Sequence, residues 1–448
     1  MNTRNNDNYW IKSGLFNILQ NLSGVAFAFG SFYFLVRILD EHTFGVWTLF
    51  LSSITILEIV RGGLIQNALI KFISGEDKSE HKKIITASFA ITTFLTLICI
   101  IINVGFARYL SILWKSPELS SLFYIYNAAF LLSGVLTLFN CIEQANLKFK
   151  GVFVSSFIRQ GAFFIYVLIC YIFNLKISLF YLVYLQIITL AISVVTSYFY
   201  TRTYLSFSNK IDFLWFKKLF NYGKYAFGTS VSAILANTID QMMLGALISA
   251  NAAGAFNIAI RITNLVDIPT NALAAIVFPQ SARRIEKEGI GAIKYLYEKS
   301  VGTLMAILVP GILFLYLFTD FVVDFIAGTK YPEAVPLLHI TLAYCLLVPY
   351  GRQVGTILDS IGKTKLNFYL VLFTAVINLL LNYPMINYWG ILGAAYSSLV
   401  AGIIGFIAAQ IILKKQFNVN IFNTFIYAFE FYPEFYNKYI KTPKSTHQ

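Results

Sequence analysis

Charge is what this sequence has least of. Only 12% of its 448 residues are Asp, Glu, Lys or Arg, about half the share with which soluble domains cover a water-facing surface. A water-soluble globule is therefore excluded. The four cysteines, Cys99, Cys141, Cys170 and Cys345, lie in or at the edge of apolar runs, without CxxC or any other metal-ligand spacing, and read as buried hydrophobes. There is no HExxH, no nucleophile elbow and no dinucleotide fingerprint. Gly362-Lys363-Thr364 ends like a phosphate-binding loop, but Ile357 stands where the first glycine belongs, so no nucleotide site is expected there. The polar N-terminus leads into a long apolar run, not a short one with a small-residue cleavage site, and no removed signal peptide is expected.

What fills the chain instead is hydrophobic residue, 58% of the total, gathered into runs of about 20 residues, long enough to cross ~30 Å of hydrocarbon. Punctuation by charge, Pro and Gly predicts an all-α polytopic membrane protein of twelve spans. They fall near 13–37, 44–70, 84–107, 118–142, 151–173 and 178–201, and then near 222–247, 252–279, 297–319, 334–358, 366–388 and 391–413. With both termini inside, the Lys and Arg on the outside are Arg37, Arg108, Lys115, Lys176 and Lys330, and those within spans are Arg61, Arg159, Arg261 and Arg352. The rest of the 34 collect on the cytoplasmic side, as insertion requires. The net charge of +13 is thus a matter of topology and anionic lipid, and implies no nucleic acid.

The chain repeats itself. ILDEHTFG at 38–45 and LISANAAG at 247–254 superpose at an offset of 209, which also pairs Gly14 with Gly223 and Glu58 with Asp267; later, Glu143 pairs with Asp359. Six spans separate the copies, an even number, so the halves share one orientation: two pseudo-symmetric six-helix bundles with a site expected between them. The expected lobes are 1–201 and 222–413, joined by a basic cytoplasmic linker over 202–221. A cytoplasmic tail over 414–448 follows, partly an interfacial helix with Ile421, Phe422, Phe425, Ile426 and Phe429 on one face.

Polarity recurs at helical period on equivalent spans. Asn17 and Asn21 share an arc of the first, Asn237, Asp240 and Gln241 of the seventh, and Asn257, Arg261, Asn264, Asp267 and Asn271 about 120° of the eighth. In lipid such stripes must face protein or water, and for a neutral residue helix-packing glue competes with a ligand role. The charges are costlier, about 2.5–3.5 kcal/mol each at mid-bilayer. Arg61, Arg159, Arg261 and Arg352 are candidate ligands for an anionic headgroup, since guanidinium holds phosphate in a bidentate manner. Against this, Arg61 lies one turn from Glu58 and could be an ion pair, and Arg159 could snorkel. Glu58, Asp240 and Asp267 are candidates for H+ or Na+ coupling, with neutralisation of a nearby arginine as the competing role.

Several motifs in order carry a resemblance: Thr43-Phe44-Gly45-Val46-Trp47, the run from Asp240 to Arg261, Val277-Phe278-Pro279, Gly328 to Ala334, Gly362 to Lys365, and Gly390 to Ala395. Over about residues 10–413 the sequence resembles the oligosaccharide (O-antigen repeat-unit) flippases of the multidrug, oligosaccharidyl-lipid and polysaccharide exporter superfamily. The resemblance implies a V-shaped, alternating-access transporter of the bacterial inner membrane. Its cargo would be undecaprenyl-pyrophosphate-linked oligosaccharide for polysaccharides such as the lipopolysaccharide O-antigen, moved from inner to outer leaflet without a bound cofactor, alongside membrane lipids and other assembly proteins as partners. It places cationic lumen residues on Arg61 and Arg261, while Arg159 and Arg352 rest on the topology. A drug/cation antiporter would favour carboxylates and aromatics over four arginines. A membrane glycosyltransferase or polymerase would need a larger outside loop than the fourteen or so residues near 320–333.

Overall fold

The computed structural model describes the backbone of residues 3–146 and 148–437, and the side chains there apart from 3–18, 225, 226, 229, 233, 236, 237, 279, 282, 283, 285–287 and 290. Every regular element among the described residues is helical. The chain runs through α1 (Thr3–Ile38), α2 (Glu41–Gly63), α3 (Gln66–Gly75), α4 (Lys78–Leu113), α5 (Glu118–Ala145), α6 (Lys150–Ile172) and α7 (Leu179–Thr201). It continues with α8 (Phe213–Leu247), α9 (Ala250–Thr263), α10 (Asp267–Glu288), α11 (Ile290–Leu317), α12 (Thr319–Ala327), α13 (Ala334–Cys345) and α14 (Val348–Ser360), then α15 (Thr364–Trp389), α16 (Ile391–Phe417) and α17 (Ile421–Phe435). Among the described residues nine stretches are long and apolar enough to cross a bilayer, and α13 with α14, bent by 41°, makes a tenth. Large side chains such as Ile101, Phe173 and Leu380 are about two-thirds exposed, an outer surface that only lipid can cover.

Two prolines explain where spans break. The expected straight span over 252–279 is instead α9, a 3-10 turn at Asn264–Val266, and α10. Pro269 offers no N–H and its ring crowds the carbonyl four residues back, so a continuous α-helix through residue 265 is disfavoured. The polar residues 257–271 accordingly do not form one straight stripe. Pro349 plays the same part at the start of α14.

The chain divides into two compact units, Met1–Ile234 with Ser249–Gly254, and Leu235–Ile248 with Ala255–Gln448. In the first, Leu69, Ile84, Ile85, Ile142, Trp215 and Leu219 form a dry core joining α3, α4, α5 and the start of α8. In the second, Val277, Tyr297, Val301, Ile357, Leu358 and Leu413 do the same for α10, α11, α14 and α16. Helix α17 docks on α11 where Gly302 leaves room: a Cβ there would lie 2.7 Å from the Thr424 carbonyl oxygen. Buried Glu298 accepts the Asn420 backbone N–H at 2.7 Å and the Asn423 amide at 2.8 Å. These bonds pin the start of α17, and its aromatic face, with Phe422 and Phe429, is left exposed.

The internal repeat has structural content. Asp40 caps α2 by accepting the Thr43 N–H at 2.9 Å, and Ser249, its counterpart at the 209 offset, caps α9 by accepting the Ala252 N–H at 3.2 Å. Such caps contribute about 1 kcal/mol each. The paired glycines touch: a Cβ on Gly254 would meet the Gly45 Cα at 3.2 Å, and one on Gly45 the Ala250 carbonyl oxygen at 2.0 Å. No larger residue fits that approach. Glu143 accepts the Val152 N–H at 2.8 Å and Asp359 the Asn367 amide at 3.0 Å. In both copies, then, a carboxylate ties the end of one helix to the start of the next.

Candidate functional site

In the first unit the charged cluster sits where α2 meets α5. Arg61 is 2% exposed. Its Nη2 donates to Glu58, and its Nη1 donates to the Phe130 carbonyl and to the Ser133 hydroxyl, both at 2.8 Å. Ser133 in turn donates to the other Glu58 oxygen at 2.7 Å. Gly134 makes room: a Cβ there would lie 3.1 Å from Nη1. An ion pair drawn from one helix and closed by a hydroxyl from another satisfies most of a buried guanidinium. An anion reaching Arg61 would have to displace Glu58 or Ser133. Arg159, on α6, is exposed and within Coulombic range of Glu58, so it is the accessible cation of this group. Asn21 is exposed on α1, whereas Asn17 lies outside the described side chains.

The second unit holds two arrangements. Asp240, near the C-terminal end of α8, is 3% exposed and surrounded by neutral donors. Asn382 on α15 donates to Oδ1 at 2.6 Å and Ser398 on α16 donates to Oδ2. Asn382 also reaches Asn378 at 2.8 Å, Asn378 reaches Ser398 at 3.0 Å, and Ser397 donates to Asn382 Oδ1 at 2.7 Å. Among the described residues no Lys, Arg or His lies within ion-pair distance of Asp240. Burial disfavours the charged form of a carboxylate, and hydrogen bonds from neutral donors offset part of that cost.

The other arrangement follows α9 into α10. Arg261, in the last turn of α9, is exposed, as are Asn264 and Asn271, with Asn257 half-buried. Among the described residues no carboxylate lies within ion-pair distance of Arg261. Asp267, which opens α10, accepts instead from Arg352 Nη2 of α14 at 3.0 Å, with both side chains about two-fifths exposed. Glu58 and Asp267, equivalents in the repeat, thus each carry an arginine, one from its own helix and one from a neighbour. Asn237 lies outside the described side chains. No cluster of three or more His, Cys, Asp or Glu exists among the described residues, so a thiolate or imidazole metal centre is not formed by them.

Sequence reasoning had not singled out Asn378, Asn382, Ser397, Ser398 or Ser133. A signal was there for the first pair: two asparagines four residues apart share one face of an otherwise apolar helix.

Comparison with known proteins places this geometry. Residues 34–336 match the family model described as polysaccharide biosynthesis protein. The chain belongs to that family. Among its relatives is the probable low-salt glycan biosynthesis flippase Agl15 of Haloferax volcanii, 25% identical over 182 residues that cover 41% of this chain and 39% of that protein. The chain thus spans about two-fifths of the length of that relative. The lipopolysaccharide biosynthesis protein WzxC of Escherichia coli is 21% identical over 388 residues, 84% of this chain and 74% of that one. Among solved structures, lipid II flippase MurJ in an inward closed conformation aligns with a TM-score of 0.76 at 13% identity, over 97% of this chain and 94% of that one. An inward-facing multidrug resistance MATE family transporter of the MOP superfamily gives 0.71 at 15%, over 88% and 96%. At these identities the likeness concerns the fold, a helical one shared with membrane transporters.

Proposed function

We propose that this protein is a flippase that carries a lipid-linked oligosaccharide, joined to its polyprenyl carrier through pyrophosphate, from the inner to the outer leaflet of the cytoplasmic membrane. In a bacterial host the carrier is undecaprenol. The observation that carries the reading is Arg261: exposed on a chain of apolar helices, with no carboxylate partner among the described residues. A guanidinium in such a place costs free energy unless an anion repays it, and pyrophosphate is an anion that its fork fits. Arg159, in the first unit, is another exposed cation, whereas Arg61 and Arg352 are each neutralised by a carboxylate and order the helices around them. Asn257 and Asn264 add neutral donors suited to sugar hydroxyls. The twelve spans of this reading are the ten apolar ones together with α8 and α9–α10, both termini being cytoplasmic, and transport proceeds by alternating access. Family membership supports this reading of a transporter in place of an enzyme.

The driving ion in this reading binds at Asp240. A turn of the Asn382 or Asn378 amide would bring carbonyl oxygens to join the carboxylate and the Ser398 hydroxyl, an all-oxygen set of the kind hard cations take; the same carboxylate can take a proton. Asp267, satisfied by Arg352, and Glu58, satisfied by Arg61, are poorer candidates.

The reading is tested by deleting the gene in a host without a paralogue. Lipid-linked glycan should accumulate on the inner leaflet with loss of surface polysaccharide. Intact surface polysaccharide with new sensitivity to cationic drugs would make the protein a drug/cation antiporter.

A further inference from the structure

The first unit carries a feature that transport through Arg261 does not use: a groove of about 780 Å³ between the end of α3 and the first turns of α8. Behind its lining, Phe72 and Lys218 pack on Trp215. Trp215 is buried and donates its ring N–H to Glu80 at 2.6 Å, and Phe72 meets its ring edge-on at 5.5 Å. Its open side is apolar and cationic together. Phe213 and Leu214 are 74% and 59% exposed, and Lys217 and Lys218 follow on the next turn. Lys218 Nζ lies 4.2 Å over the Trp215 ring, and across the groove Lys71 Nζ lies 4.1 Å over Tyr222. Of the nearby acids, Asp212 caps the Leu214 N–H at 2.9 Å and Glu80 holds Lys83 at 2.8 Å besides Trp215, while Glu76 and Asp77 are exposed at the end of α3. Among the described residues no carboxylate lies within ion-pair distance of Lys217 or Lys218.

On the reading proposed above, in which α8 is one of the spans, its length sets the level of this groove in the membrane. Helix α8 has 35 residues, about 50 Å at 1.5 Å each, whereas the hydrocarbon core takes up only ~30 Å. Several turns must project into the headgroup layer. The turns with lysines are the ones at the N-terminal end, beside Lys71 and the start of α4, where Lys78, Lys82 and Lys83 lie. A site with exposed phenylalanine and leucine on one side and ammonium groups on the other, at headgroup depth, has the chemistry of an anionic amphiphile.

We propose that this groove binds an anionic glycerophospholipid of the surrounding leaflet, with its phosphate on Lys217 and Lys218 and its acyl chain against Phe72, Phe213 and Leu214. The bound lipid fastens the long N-terminal turns of α8 to α3. The site is separate from the cargo arginines and does not depend on the cargo's identity.

The test uses the full chain, purified from detergent into nanodiscs of phosphatidylcholine with a minor share of phosphatidylglycerol, then released and weighed by native mass spectrometry. One phosphatidylglycerol should be retained in preference to phosphatidylcholine, and K217Q/K218Q, on an exposed face, should reduce that preference about ten-fold or more. K414Q/K415Q, another basic pair, should leave it unchanged. Brominated phosphatidylglycerol should also quench tryptophan fluorescence more in the parent than in K217Q/K218Q, because Trp215 backs the groove. Equal retention of the two lipids, or an undiminished preference in K217Q/K218Q, overturns the proposal. So does retention of added polyprenyl pyrophosphate in place of phosphatidylglycerol, which would make the groove a cargo entry site.

Discussion

Glu58 in the first unit and Asp240 in the second are both carboxylates set into apolar helices, and they differ in what neutralises them. Glu58 has a permanent counter-charge, Arg61, one turn away. Asp240 has only amides and hydroxyls. The first holds its own counter-charge, with only the buried Arg61 Nε lacking an acceptor among the described residues; the second rests on neutral donors alone. Two acids in apolar helices, one half-buried and one buried, are thus held in opposite ways, and a count of charged residues in the spans does not tell them apart.

The largest expected effect comes from breaking the completed pair. Arg61→Ala strands Glu58 in an apolar setting and should cost about 3–5 kcal/mol, whereas changing both members, Glu58→Gln with Arg61→Gln, should recover most of that loss. Thermal unfolding in detergent measures both. An equal loss in the single and double variants would mean that Glu58 does not depend on Arg61. The contrasting substitution, Asp240→Asn, should leave thermal stability at the parental level or above, because it removes a buried charge that has no cationic partner. Its transport rate in proteoliposomes should no longer respond to an imposed sodium or proton gradient. A variant that still responds would remove Asp240 from coupling.

Smaller effects sharpen the comparison between the two copies of the repeat. Gly45→Ala pushes a methyl group to within 2.0 Å of the Ala250 carbonyl oxygen and should cost about 1–3 kcal/mol; Gly105→Ala, whose Cβ meets nothing within 4 Å, should be neutral or slightly stabilising. Asp40→Ala should cost about 1 kcal/mol at neutral pH. Burial tends to raise the Asp40 pKa, but the two hydrogen bonds from Thr43 outweigh it and hold the carboxyl below its ordinary value. A depressed acid contributes stability above its unfolded pKa and loses it as pH falls through the folded one. The penalty of Asp40→Ala should therefore shrink in acid, and one that stays constant down to low pH would exclude the cap.

Much of this was legible in the sequence. Apolar run length gave helices that span a bilayer, and ILDEHTFG with LISANAAG marked the two capped helix starts and the two glycines that meet. Single-residue periodicity was less informative. It put residues 257–271 on one face as far as Pro269 leaves the helix straight, and the 3-10 turn at Asn264–Val266 shows where that condition fails. For Arg61 the sequence left ligand and ion pair with Glu58 both open, since the Phe130 carbonyl and Ser133 hydroxyl that it also meets come from a helix some 70 positions away. The neutral shell of Asp240 was hidden for the same reason, being assembled from α8, α15 and α16.

The proposed grip of Arg261 on an anionic cargo is tested most directly by transbilayer movement in proteoliposomes. A pyrophosphate-linked, fluorescently tagged glycan lipid would be followed by its accessibility to a membrane-impermeant quencher. The parent should move the lipid at a rate well above protein-free vesicles, Arg261→Lys should keep part of that rate, and Arg261→Gln, equally well inserted, should lose most of it. Full-rate movement by Arg261→Gln would contradict the cationic grip.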